Sequence, residues 1–293
     1  IWNAFRLTQS WQVDESLEQP EETSTAILWF QANLSQSIEI IEDHFSKYRI
    51  ADALLALYKL IWDDFCSWYL EMIKPAYQQS IDRKTLDTTL DFMDQLLRLL
   101  HPFMPFISEE IYQRIRGENA PESICLAKQP GPSGYDAEII GAFQFARQAI
   151  VAIRNLRQEK NIPNKEALQV LVRKHNDELA DTRFDPLVKK LCNVSQVRYI
   201  DEKPSGAAFS LIVRTTELYI PHLRDIDIDA ELKGLNEDLA YQQGFLAQIE
   251  KKLSNERFVQ NAPAQVVEME KRKQADALAR IQVIQARIAS LKT

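Results

Sequence analysis

The chain has 293 residues, 35 of them basic and 42 acidic, for a formal charge of −7. A hydrophobic share of 45% and an aromatic share of 9% exclude global disorder. Only seven glycines occur, which favours long helices with few tight connections. With so few, no G-x-G-x-x-G, G-x-x-x-x-G-K-[ST] or G-x-S-x-G appears, so the common phosphate-cradling loops and the nucleophile elbow are excluded.

In chain order, residues 1–160 read as successive helices. Ile1 to Trp11 carries Trp2 and Phe5 but is too short to stand alone. An acidic stretch with Pro20 follows, and Ser24 or Thr25 can cap a second helix with Leu28, Ala32, Leu34, Ile38, Ile41 and Phe45 on its apolar face. A third helix spans about 50–74, with Leu54, Leu57, Tyr58, Ile61, Phe65, Trp68, Tyr69 and Met72 facing the core. Trp62, with Trp68 and Tyr69, also reads as core. A fourth helix covers Asp82 to Leu100. His101, at its end, is expected to bond to backbone, and Pro102 and Pro105 set the entry of a helix from Phe106 to Arg116. The long loop from Gly117 to Tyr135 precedes a helix from about Asp136 to Lys160. Beyond Pro163 the period changes to two: Leu168, Val170 and Val172 alternate with Gln169, Leu171 and Arg173, and residues 167–224 are expected to form a small α/β module. From Ile228 the residues Leu232, Leu235, Leu239, Gln242, Leu246, Ile249 and Leu253 follow at intervals of four and three, a heptad seam. A second run through Val267, Ala277 or Leu278, Ile281, Ile284, Ile288 and Leu291 predicts a returning arm. Each arm of about 26 residues would extend ~39 Å. The fold expected is mainly α: a helical bundle over 1–166, the small α/β module, and a C-terminal antiparallel coiled-coil hairpin over 225–293.

Charge is unevenly placed. Residues 146–175 hold seven basic against two acidic residues, and residues 250–293 hold nine against five. Such zones suit a polyanion, or are simply solvated faces. The cysteines Cys66, Cys125 and Cys192 and the four histidines are scattered, so no disulfide framework and no metal site are expected, and a reducing, cytoplasmic setting fits. No apolar run reaches the ~18–20 residues of a membrane span, so no membrane partner is expected. The opening at Ile1, already helical in character, reads as a piece of a longer protein.

Several stretches carry a resemblance. They are Ile1-Trp2-Asn3-Ala4; Trp62-Asp63-Asp64-Phe65-Cys66-Ser67-Trp68-Tyr69-Leu70-Glu71; Leu100-His101-Pro102-Phe103-Met104-Pro105-Phe106-Ile107-Ser108-Glu109-Glu110-Ile111; Ile153 to Arg157 with Ile162-Pro163; and Lys252 to Pro263. In this order they resemble the C-terminal half of the valyl-tRNA synthetase family. The histidine–proline segment is shared with isoleucyl and leucyl relatives, and the terminal hairpin with its Ser254–Pro263 tip selects the valyl family. The resemblance implies a bundle that docks the anticodon stem-loop and an arm that leans on the outer corner of the tRNA. It also implies tRNA(Val) as partner and a monomeric full-length enzyme that uses ATP. The family's HIGH-type and KMSKS-type motifs are absent, so no catalytic residue and no cofactor are expected in this piece.

On that reading Asn3 and Arg6 lie where the family faces the anticodon, and Trp2 or Phe5 either stacks a base or belongs to the core. Arg154 and Arg157 share a helix face and either bind phosphate or form a structural ion pair. Lys271, Arg272, Lys273, Arg280 and Arg287 are expected to meet tRNA on the returning arm, with Phe258 plugging the tip. The rival reading is a helical scaffold whose coiled coil recruits a protein partner.

Overall fold

Trp2–Gln9 forms helix α1, which buries Ala4, Phe5 and Thr8. The computed structural model describes residues 1–173, 182–206, 208–221, 228–254 and 264–291, with side chains in the last two segments described for 236–254, 268–278, 281, 282, 284 and 285. Helix α2 (Glu21–Ser46) starts directly after Pro20, so neither Ser24 nor Thr25 is its cap. Proline's fixed φ and missing N–H suit that boundary, and Glu21 and Glu22 complement the helix dipole. Its buried face centres on Trp29, Phe30, Ile38 and Ile41, while Leu28 is exposed.

The third helix departs from expectation. It runs as α3 (Ile50–Lys59), a π-helical stretch (Leu60–Tyr69) and α4 (Leu70–Ile73). In the stretch the Leu70 N–H bonds to the Phe65 carbonyl, an i→i+5 link. The reason lies in the packing. Leu57, Ile61, Phe65, Tyr69 and Ile73 are all buried at an interval of four, and a 3.6-residue repeat would carry such a row off the core. Underwinding holds it in line. The consequence is that Leu54, Tyr58 and Trp62 are exposed, contrary to the sequence reading, and Tyr58 and Trp62 stack on each other with ring centroids 6.1 Å apart.

Helix α5 (Arg83–Leu100) begins at Asp82, whose carboxylate accepts the Thr85 N–H at 2.8 Å. A two-residue parallel bridge, β1 (Val13–Asp14) with β2 (Ile81–Asp82), ties this start to the segment after α1. Helix α6 (Pro105–Ile115) has its proline in the first turn. The core gathers around Phe30, with ring centroids 4.8 Å from Tyr69, 5.0 Å from Phe92 and 5.3 Å from Phe65. Helix α7 (Ala137–Glu159), capped by Asp136, covers it through Phe143, whose ring lies 3.9 Å from Trp29.

The α/β module contains β3 (Leu168–Arg173), α8 (Asp185–Cys192), β4 (Val194–Ile200), β5 (Ala208–Val213) and β6 (Thr216–Pro221). Its strand order is β4-β3-β6-β5, with β3 and β4 parallel and the other pairs antiparallel. Leu168, Val170 and Val172 are buried, as their alternation predicts. Their core is continuous with the bundle, and Ile1–Pro221 form one compact unit.

His222–Thr293 form a second unit. It consists of α9 (Ile228–Leu253) and α10 (Ala264–Leu291) packed on each other. Between 236 and 254 only Leu239, Gln242, Leu246, Ile249 and Leu253 are shielded from solvent, which are the heptad positions. On α10 the buried Glu270, Ala277 and Ile281, with the half-buried Gln274 and Ile284, continue the four-and-three spacing, and Leu278 is exposed. Lys252, near the end of α9, reaches Glu270, near the start of α10, at 3.8 Å. The tip from 255 to 263, including Phe258, lies outside the described residues.

Candidate nucleic-acid interface

Helix α1 divides its residues by periodicity. Ala4, Phe5 and Thr8 face the core, while Asn3, Arg6 and Leu7 lie together on the solvent side. Neither Asn3 nor Arg6 has a side-chain partner among the described residues, so amide and guanidinium are open to a ligand. Trp2 is half-buried. Its ring is held by Phe5, 5.5 Å away between centroids, and by the Arg114 guanidinium at 5.6 Å. Phe5 is 5% exposed and belongs to the core, not to a stacking surface.

The basic zone on α7 separates into three arginines with different surroundings. Arg147 lies over the Trp68 ring at 5.0 Å and 3.7 Å from Asp64. Asp64 is buried, and burial pushes its carboxyl pKa up against the opposing pull of the Asn33 amide, which donates to it at 3.1 Å, and of Lys59 and Arg147. Arg154 is exposed and donates from Nε and Nη2 to the Leu191 carbonyl, at 3.3 and 3.0 Å. Arg157, three residues on, is 4% exposed. It donates to the carbonyls of Cys192 (3.1 and 2.8 Å), Pro163 (2.9 Å), Glu166 (2.8 Å) and Asn193 (3.0 Å). These bonds hold the turn after α7 and the α8–β4 junction together. Of the two roles left open by its spacing, the structure gives Arg157 the internal one, with carbonyls rather than a carboxylate as partners.

Arg154 and Arg157 border an open cleft of about 830 Å³. Lys190 contributes a third cation, with Nζ 2.7 Å from the Met72 carbonyl, and burial lowers its pKa. Gln158, Asn161, Asn164 and Asn193 line the cleft together with Ile162, Pro163, Leu191 and Cys192, and Asn161 and Asn193 both adopt left-handed backbone conformations at φ 51° and 49°. Sequence reasoning does not find this group. The two asparagines following helix ends are the one available signal.

On the arm, Lys271 and Arg272 are exposed and have no side-chain partner among the described residues. Lys273 is exposed too, but its Nζ bonds to Glu270 at 2.9 Å. That bond, with Lys252 nearby, holds the Glu270 carboxyl below its ordinary pKa. The side chains of Arg280 and Arg287 lie outside the described residues. His101, expected to bond to backbone, instead engages side chains: Nδ1 is 2.8 Å from Ser108 Oγ and Nε2 is 3.1 Å from Cys125 Sγ. No helix of the described residues is long and apolar enough to cross a membrane.

Two known families match the chain. Residues 28–172 match the family described as the anticodon-binding domain of tRNA ligase, and residues 227–292 match the valyl tRNA synthetase tRNA binding arm. A valine–tRNA ligase of Parabacteroides distasonis is 47% identical over 292 residues, covering 99% of this chain and 33% of the relative. Those of Christiangramia forsetii and Bacillus licheniformis are 45% and 35% identical, covering 99% and 100% of this chain and 33% and 34% of each relative. The chain thus spans about a third of the length of the curated relatives it matches. Carrying both an anticodon-binding domain and the tRNA-binding arm, this chain belongs to the valine–tRNA ligase family and corresponds to its C-terminal region.

Proposed function

We propose that this chain grips tRNA(Val) and positions it for ATP-dependent esterification with valine, a reaction carried out by polypeptide other than these 293 residues. The observation that carries the proposal is the pairing, in one chain, of an anticodon-binding match with an arm match whose Lys271 and Arg272 stand exposed and, among the described residues, unpaired. The grip divides among three segments. The bundle over 1–166 meets the anticodon stem-loop, the module over 167–224 follows it, and the antiparallel coiled-coil arm over 225–293 meets the outer corner of the tRNA. Asn3 and Arg6 read or hold the anticodon loop, with Trp2 as a neighbouring aromatic edge. Arg154 meets phosphate, while Arg157 holds the neighbouring turn and the α8–β4 junction in place. Lys271, Arg272, Lys273, Arg280 and Arg287 form the arm's cationic edge. The contribution to catalysis is orientation, because a held acceptor end turns an encounter into a positioned reaction. The full-length enzyme works as a monomer in the cytoplasm.

The test is equilibrium binding of the purified chain to valine tRNA and to an unrelated tRNA across a salt series. Binding that weakens linearly in log–log form with salt supports the reading. Absence of binding at low salt, or a flat salt response, overturns it. A Lys271→Glu/Arg272→Glu variant is expected to bind less tightly and with a shallower slope. Unchanged affinity, together with dimerisation in light scattering, would favour the protein-scaffold alternative.

A further inference from the structure

Helix α7 has an uncommon composition for a surface element. From Ile139 to Gln158 it contains no aspartate or glutamate, yet it carries Arg147, Arg154 and Arg157 and the amides of Gln144, Gln148, Asn155 and Gln158. The chain as a whole has more acids than bases, so an acid-free run of five turns is not what its average composition supplies. This helix leads directly into the open cleft beside the α8–β4 junction. Among the described residues, no carboxylate lines that cleft either. Glu166 and Glu22 lie near enough to act on Arg157 and Lys190, but neither borders the opening.

We infer that the cleft is a binding site for the phosphodiester backbone of RNA, with Arg154 as the charged contact, Lys190 as a flanking cation, and Gln158, Asn161 and Asn164 as amide donors. The inference rests on the reading of this chain as a tRNA-gripping element, and it extends the Arg154 contact proposed there to a whole site whose lining, among the described residues, includes none of α1 or the arm. Arg157 has a positioning role there. Its guanidinium binds the carbonyls of Pro163, Glu166, Cys192 and Asn193, so it fixes both walls of the cleft without exposing itself. Arg154 uses the Leu191 carbonyl as a fixed anchor for Nε and Nη2, which orients the planar head at little further entropic cost. Amide side chains add donors without base-edge geometry, and phosphate oxygens accept such bonds without regard to sequence.

Two variants of the whole chain test this. Arg154→Gln removes the charge, and Gln158→Glu adds a carboxylate at an exposed position whose side chain has no partner among the described residues. Both are compared with the parent for valine tRNA and an unrelated tRNA over a salt series, with thermal melts to establish folding. The expected result is weaker binding of both tRNAs by the same factor, and a log–log salt slope shallower by about one. Parent-like affinity and slope in both variants would overturn the cleft while leaving the tRNA-gripping function intact. A loss confined to valine tRNA would overturn it too, since that marks base reading. A parent chain that binds neither tRNA would remove the underlying reading itself.

Discussion

Arg157→Leu tests whether a buried guanidinium, rather than an apolar contact, joins the bundle to the α/β module. The native side chain makes five hydrogen bonds to four carbonyls from two chain segments. A hydrogen bond from a charged donor contributes about 1.5–3 kcal/mol, and such values do not add when the bonds share one group. Pro163, Cys192 and Asn193 all border the open cleft, so water can recover part of the loss, although Cys192 itself is buried. The expected loss is therefore about 2–4 kcal/mol, since a carbonyl left without its donor costs about 1–3 kcal/mol where water does not replace it. For a unit of this size that lowers the melting temperature by about 10 °C. All five tryptophans (Trp2, Trp11, Trp29, Trp62 and Trp68) lie in the first unit, so their fluorescence during urea unfolding reports on it alone. Arg157→Lys is expected to recover only part of the loss, because an ammonium cannot span four carbonyls in one plane. A leucine variant within about 0.5 kcal/mol of the parent, the scale of a neutral surface change, would refute the clamp.

Three further outcomes are expected. The Thr89 hydroxyl donates to the Thr85 carbonyl at 2.7 Å, so the Tyr69 hydroxyl, 2.9 Å away, must be the donor between the two side chains; Tyr69→Phe should cost about 1 kcal/mol, and Thr89→Val, which strands a buried hydroxyl, about 1–3 kcal/mol in denaturant titrations. The reverse ranking would contradict the donor assignment. Burial raises the Asp64 pKa, so the folded chain holds that proton more tightly than the unfolded one. The resulting stability is full below the unfolded value of 3.8 and is lost as pH rises through the folded value. Asp64→Asn is thus expected to raise the melting temperature at pH 7, with the gap closing in acid; a variant less stable at pH 7 than the parent would show that Arg147 and Asn33 outweigh desolvation. Iodoacetamide should alkylate exposed Cys125 first and half-buried Cys66 more slowly, while Cys192, buried and with its thiol pushed up to about 11, should react only on unfolding. Mass spectrometry over a time course would read the order, and early labelling of Cys192 would contradict its burial.

What could be read from the sequence follows how local each determinant is. Asp82 and Asp136 announce their helices because a cap needs only its own three following residues. The alternation at Leu168–Val172 and the heptad intervals from Leu239 to Leu253 are likewise one-segment signals, and burial follows them residue by residue. Trp62 reads as core only if helical winding is constant, whereas in the underwound stretch Phe65 and Tyr69 pack on Phe30 and Phe92. Arg157 and Arg154 look alike in sequence, three residues apart on one helix. What separates them is the set of carbonyls brought in from 163–166 and 192–193, which no spacing rule records. The pairing of His101 with Cys125 across 24 residues is equally invisible before the loop folds back.

The π-helical stretch also bears on how this chain is lined up with its relatives. Between Leu60 and Tyr69 the number of residues and the number of turns disagree. A homologue shorter by one residue there would restore ordinary winding, and each α-helical residue counts for about 100° of rotation. A gap placed in the neighbouring loops instead of inside this helix would then pair Asp64, Trp68 and Tyr69 with counterparts that point elsewhere, and any role transferred along that alignment would land on the wrong side chain.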